Sequence, residues 1–212
     1  MVAVLNLASI ADIFSVMNID FKNPTIKFYF SFQCPYSYMT WEMLKSLLSN
    51  KVSVAPIEIG LFSQSNSKYN YQDIWAEPRW NRLIKDAAKL NIKITPPAKY
   101  VSGVTASRAI EAYGNINGID YITSVFRGVF FSRIDISLQN ALRLHLQSEG
   151  LDSSVLSTAI DQPETEKKAN DQLLLWGHER IRTLPTVELN DERYCGFIDK
   201  SGLERFLRSE LD

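Results

Sequence analysis

The feature that most constrains this chain is Cys34-Pro35, which sits at the seam between two different hydrophobic periodicities. Thr25 to Ser31 (TIKFYFS) alternates and is rich in β-formers, which predicts a strand. Tyr36 to Leu48 places Met39, Met43, Leu44, Leu47 and Leu48 three and four residues apart. That spacing predicts an amphipathic helix with Pro35 at or near its first turn. A cysteine at a helix start faces unpaired amide groups, which favour negative charge. The expectation is a stabilised thiolate with a lowered pKa, and the thiolate is the nucleophilic form of the residue. A small, buried, inert cysteine is the alternative use of the same position.

The rest of the chain places this seam in a larger order. Val52 to Ile59 (VSVAPIEI) reads as a second strand, with Pro56 marking an edge or bend. Helical patterns follow at Pro78 to Leu90, Ala106 to Tyr113, Ile119 to Phe131, Leu138 to Gln147, Ser153 to Ile160, and from Gln162 to about His178. Strands return at Thr186 to Leu189 and Arg193 to Cys195, joined by the turn Asn190-Asp191-Glu192. A helix over Leu203 to Leu211 closes the chain. The order is strand-helix-strand, a helical block, then strand-strand-helix. It predicts an α/β fold whose β-α-β and β-β-α halves are split by a mostly helical insertion. Residues 1–60 and 182–212 would form the sheet domain, and 61–181 the helical one. Helices should cover both faces of the sheet. The helical block should cap the strand ends, where ligands of open α/β sheets bind.

Composition excludes several classes of function. With 23 basic against 24 acidic residues, the formal charge of -1 provides no global attraction for nucleic acid or an anionic membrane. No apolar run approaches the ~18 residues that span a bilayer. Met1 to Asn23 lacks a basic leader and carries Asp12 in its apolar stretch, unlike a secretory signal. Two cysteines make no disulfide framework, and the two histidines and two cysteines match no zinc spacing, so no metal is expected. A cytoplasmic, reducing setting follows as the expectation.

Cys34-Pro35-Tyr36-Ser37 has the spacing of a redox motif, with serine in place of a second cysteine. Ser37 cannot resolve a mixed disulfide, but its hydroxyl can donate a hydrogen bond to a Cys34 thiolate. An external thiol such as glutathione, as cosubstrate, would complete a redox turnover. Cys195 is the alternative resolver. A second constellation, Thr183-Leu184-Pro185-Thr186, precedes a short strand, where the proline stops any helix and leaves backbone groups free.

Over nearly its whole length the chain resembles the DsbA-like thioredoxin superfamily. The branch it resembles holds kappa-class glutathione transferases, 2-hydroxychromene-2-carboxylate isomerases and DsbA-type oxidoreductases. The resemblance runs through FYFSFQCPYSYM from Phe28, WNRLIKDAAKLNIKITP from Trp80, the helical segment Ala106 to Asp152, and Arg182 to Leu207. It implies a thioredoxin-like fold in which the Pro185 loop faces Cys34 and Pro185 is cis. Transferases and isomerases of this branch carry serine at the position of Cys34, and DsbA-type members carry a second cysteine at that of Ser37. The chain matches neither pattern fully. By resemblance, the Leu184 backbone would pair with the cysteinyl portion of glutathione, as a strand adds to a sheet edge. Asp199 and Ser201, in GFIDKS, are the nearest equivalents of the contacts to its γ-glutamyl end. Lys68, Asn70 and Arg79 lie where relatives bind the tripeptide backbone, although solvated surface charge is their ordinary use.

Among the other residues, His145 shares the apolar side of its helix with Leu138 and Leu142 and reads as a satisfied core histidine. His178 reads as a helix C-terminal cap. Trp75, Trp80, Tyr100 and Phe130 could line a substrate pocket, with core packing the commoner use. Three functions remain: a single-thiol oxidoreductase acting on a small thiol or a protein disulfide, a glutathione-dependent transferase or isomerase of an aromatic substrate, and a non-catalytic peptide-binding module. A homodimer is compatible with all three.

Overall fold

Strand β1 (Ile26–Phe30) forms where the alternation ends, and α1 (Pro35–Leu48) starts on the proline. The chain returns as β2 (Val52–Pro56), parallel to β1. The computed structural model describes residues 26–48, 52–56, 77–97, 101–161, 163–164, 167, 171 and 181–209. The last three positions of the expected second strand, 57–59, and most of the helix read over 162–178 lie outside them. Helices α2 (Glu77–Lys89), α3 (Val104–Arg108), α4 (Ile110–Phe130), α5 (Gln139–Ser148) and α6 (Ser154–Asp161) come next in sequence. Strand β3 (Thr186–Leu189) then pairs antiparallel with β1, and β4 (Glu192–Cys195) pairs antiparallel with β3. The sheet order is β2-β1-β3-β4, and α7 (Lys200–Ser209) follows. This is the thioredoxin-like α/β fold, β-α-β then β-β-α, with helices between the two halves. No helix among the described residues is long and apolar enough to cross a membrane.

One sheet face carries Ile26, Phe28, Phe30, Val187 and Leu189, all in the main core. Phe28 stacks on Trp41 of α1 at 6.0 Å, and Tyr194 of β4 meets Phe206 of α7 at 6.1 Å. Fully buried Phe28 contributes about 1.5–3 kcal/mol by leaving water. The other face carries Lys27, Tyr29, Thr186, Glu188 and Arg193, with Ile181 and Leu184 packed on Tyr29.

Local signals explain several boundaries. Asn190 and Asp191 both have positive φ, 50° and 66°, and form the two-residue turn whose twist suits a hairpin. Helix α5 ends on Gly150 (φ 82°), with the N–H of Leu151 donating to Leu146 O and that of Gly150 to Gln147 O. Those paired bonds satisfy carbonyls that the helix end would leave bare, and glycine takes the left-handed position freely.

Two sequence expectations are corrected. The patterns over Ala106 to Tyr113 and Ile119 to Phe131 are not two helices separated by Gly114 to Gly118. After the short α3, α4 runs unbroken through that stretch for 21 residues. Tyr113 and Tyr121 stack across it at 4.2 Å, both buried. That burial outweighs two helical glycines at about 1 kcal/mol each. The final helix starts at Lys200 rather than Leu203, because Oδ1 of Asp199 accepts the Gly202 N–H at 2.8 Å and caps the first turn.

Candidate active site

Two aromatic anchors hold the Cys34 turn. Phe32 before it and Tyr38 after it both pack on Phe126 of α4, with ring centroids 5.1 and 5.6 Å away. Between the anchors the backbone folds tightly. The Cys34 N–H donates to Ser31 O at 3.0 Å, and the Gln33 N–H donates to the Ser31 hydroxyl at 3.1 Å. The first helical bond runs from the Tyr38 N–H to Cys34 O. Cys34 is therefore the residue that opens α1, as its sequence position implied.

Ser37 lies fully buried beneath the turn. Its Oγ accepts the Ser31 N–H at 3.4 Å, which leaves the hydroxyl proton to point elsewhere. The Ser37 hydroxyl, the Ser37 N–H and the Tyr36 N–H all face the Cys34 sulfur and pull its pKa down. Burial acts the other way and is the largest influence, so the thiol is pushed above its ordinary value. This corrects the expectation of a lowered pKa. The helix start supplies the anticipated donors, but Cys34 is only 7% exposed and its thiol has lost its solvation. At neutral pH Cys34 rests as a protonated thiol.

The thiol faces the second constellation. Cys34 Sγ lies 3.8 Å from the carbonyl oxygen of Leu184, to which the S–H donates. The Leu184–Pro185 peptide is cis, in agreement with the resemblance. Pro185 is buried and Leu184 half-buried. Pro185 O accepts the N–H of Gly196 at 2.7 Å, where the chain leaves β4. Gly196 has φ 95°, so this exit uses a conformation that favours glycine. One residue on, Phe197 places its ring 5.0 Å from that of Tyr36. The half-exposed Tyr36 phenol is held above its ordinary pKa by burial first and by Asp86 second, with Arg82 pulling against them. It is a neutral donor at the rim.

The structure thus brings together Cys34, Pro35, Tyr36, Ser37, Leu184 and Pro185. Asp199 and Ser201 lie at the exposed start of α7, where one Asp199 oxygen caps the helix. It is Phe197 of the same segment that meets Tyr36. Arg79 is exposed on α2. His145 is a satisfied core residue, with Nε2 2.9 Å from Ser124 O. Its expected neighbour Leu138 is instead 57% exposed, at the start of α5. Trp80 and Phe130 are buried in the core. Cys195 is exposed on β4, opposite Thr186. Lys68, Asn70, Trp75, Tyr100 and His178 lie outside the described residues. Sequence reasoning missed the roles of Ser31 and Phe197. A serine ending a strand three residues before a helix-opening cysteine was the available signal for the first.

Comparison with known proteins agrees with the fold. A family model described as a DSBA-like thioredoxin domain matches residues 25–208. The 2-hydroxychromene-2-carboxylate isomerase of Sphingobium xenophagum is 25% identical over 193 residues, covering 86% of this chain and 97% of the relative. The solved structure of a 2-hydroxychromene-2-carboxylate isomerase superposes with a TM-score of 0.70 at 19% identity, covering 87% and 93% of the two chains. A probable DsbA oxidoreductase from Streptomyces coelicolor superposes with a TM-score of 0.74 at 12% identity, covering 88% and 89%. At such identities the structural likeness is one of fold.

Proposed function

The chain belongs to the DSBA-like thioredoxin domain family, and from that premise we propose that it is a thiol–disulfide oxidoreductase working through one thiol, Cys34. The observation that carries the reading is the Cys34 sulfur 3.8 Å from the Leu184 carbonyl, beside Pro185. A peptide-like thiol or disulfide pairing with the Leu184 backbone would bring its own sulfur to Cys34.

In the reaction, the Cys34 sulfur attacks one sulfur of a disulfide R–S–S–R′. A Cys34–S–S–R bond forms, the old S–S bond breaks, and R′S⁻ leaves with its electron pair and takes up the proton that Cys34 gives up. Ser37 has no thiol to displace R, so an external thiolate, of which glutathione is the expected kind, attacks the R sulfur. That step releases the new disulfide; the Cys34 sulfur leaves with the S–S electron pair and takes up the proton that the external thiol gave up. Tyr36 and Pro35 shape the rim.

A second reading is favoured by the upward shift at Cys34. A protonated thiol is a hydrogen-bond donor, and a donor beside a bound glutathione thiolate would suit a glutathione-dependent isomerase or transferase. Asp199 and Ser201 would then serve the γ-glutamyl end.

One substitution separates the two. In a Cys195→Ser background, Cys34→Ser should abolish glutathione-dependent reduction of 2-hydroxyethyl disulfide, by at least about 100-fold. Reduction that survives C34S overturns the oxidoreductase. Absent reduction by the parent, with isomerisation of 2-hydroxychromene-2-carboxylate that survives C34S, establishes the isomerase in its place. Neither activity in the parent overturns both and leaves a peptide-binding module.

A further inference from the structure

The sheet face turned away from α1 carries a buried carboxylate that the proposed chemistry does not use. Glu188 of β3 has a side chain only 4% exposed. It accepts Lys27 Nζ of β1 at 2.7 Å, the Tyr29 hydroxyl of β1 at 3.3 Å, and Nε of Arg193 from β4. Arg193 also lies over the Tyr29 ring, 5.7 Å from its centroid. One carboxylate thereby ties together three adjacent strands. Burial alone would raise its pKa, but Lys27 and Arg193 reverse this and hold it below the ordinary carboxylate value.

As a source of stability this arrangement is unremarkable, because apolar residues of the same volume do as well. Its distinguishing property is direction. Arg193 sits opposite Glu188 in the β3–β4 register, and β4 is an edge strand of four residues, held to the sheet through β3. A one-residue slip of β4 would turn Arg193 to the other face and put Tyr194 opposite a buried charge. The ion pair therefore fixes the register. Register in turn decides where β4 ends, and at that end the Gly196 N–H holds Pro185 O. The carbonyl of Leu184, joined to Pro185 by the cis peptide, is the wall against which Cys34 rests.

We infer that Glu188 is a positioning residue for the Cys34 site, acting through Arg193, the register of β4 and the Gly196–Pro185 hydrogen bond on the Leu184 carbonyl. This goes beyond the redox or isomerase reading and holds under either, since it concerns access to the thiol.

The test is made on the full chain with Cys195→Ser. Iodoacetamide alkylation of Cys34, hydrogen exchange at the Gly196 amide, and thermal unfolding are followed together in Glu188→Gln, Arg193→Gln and the double variant. Leu156→Ala, in the buried core of α6, serves as a control for lost stability alone. In the folded state, Glu188→Gln should speed alkylation about 5–10-fold and accelerate exchange at Gly196. Arg193→Gln should do the same, and the double variant should add little to either, as expected for residues acting as one unit. Leu156→Ala should lower the melting temperature without either change. Alkylation in the single variants no faster than in the control, or fully additive effects in the double variant, would overturn the inference. Arg193 is 29% exposed, so its variant keeps the test decisive even where Glu188→Gln fails to fold.

Discussion

At Cys34, two influences of opposite sign act on a single proton. Donors at the start of α1 favour its loss, and burial favours its retention and prevails. Sequence alone supplies the first influence, because a helix start after a strand is visible in the hydrophobic pattern. The second arises only when Phe32 and Tyr38 pack the turn onto α4 and the Leu184 carbonyl meets the sulfur, which no local window encodes. The sign of the shift fixes a pH dependence. Alkylation of Cys34 should be slower at pH 7 than that of a small free thiol and should still be climbing past the ordinary thiol pKa of about 8.5. Ser37→Ala removes one of the opposing donors and should move the profile further up, with slower reaction at any fixed pH below the plateau. A plateau below pH 8 in the parent would show that the donors prevail after all.

Between elements, the decisive contacts are those whose partners are distant in sequence. The Trp41 indole of α1 donates to the Thr123 hydroxyl of α4 at 3.0 Å, joining the helix that carries Cys34 to the helical block. Trp41 is 1% exposed. Thr123→Val should therefore strand a buried donor and cost about 1–3 kcal/mol in chemical denaturation. The elements themselves were largely legible, since β1, α1, β3 and β4 announce themselves by period and by turn residues. The continuity of α4 was not, because glycine and asparagine argue for a break and only the stacking of Tyr113 on Tyr121 argues against one. Glu188 was equally hidden. A glutamate within Thr-Val-Glu-Leu looks like the solvent side of an alternating strand, and its burial depends on Lys27 and Arg193 arriving from two other strands. The Leu184–Pro185 wall was legible only through the order of motifs along the chain. Asp199 was readable as a polar group near the site, but not as the cap it supplies to α7.

Across the whole molecule, Phe126 is the hinge of the design. It belongs to the helical block, yet it packs against Phe30 and against both residues that anchor the Cys34 turn. Phe126→Ala should cost about 3–5 kcal/mol of stability and should also make Cys34 react faster, in a way that stability-matched changes in α6 do not. Unfolding curves read alongside alkylation rates would show whether the two effects travel together.

The wall that shelters Cys34 is 150 residues away from it in sequence, and this separation has a consequence during synthesis. At ordinary elongation rates of about 5–20 residues per second, the Leu184 segment is translated about 8–30 s after Cys34. Throughout that interval the nascent chain lacks the groups that later bury the sulfur, although the local strand–turn–helix unit can already exist. The newborn thiol is thus freer to ionise and to form adducts than the mature one. The same cysteine is therefore most exposed to its cellular surroundings before the protein is complete.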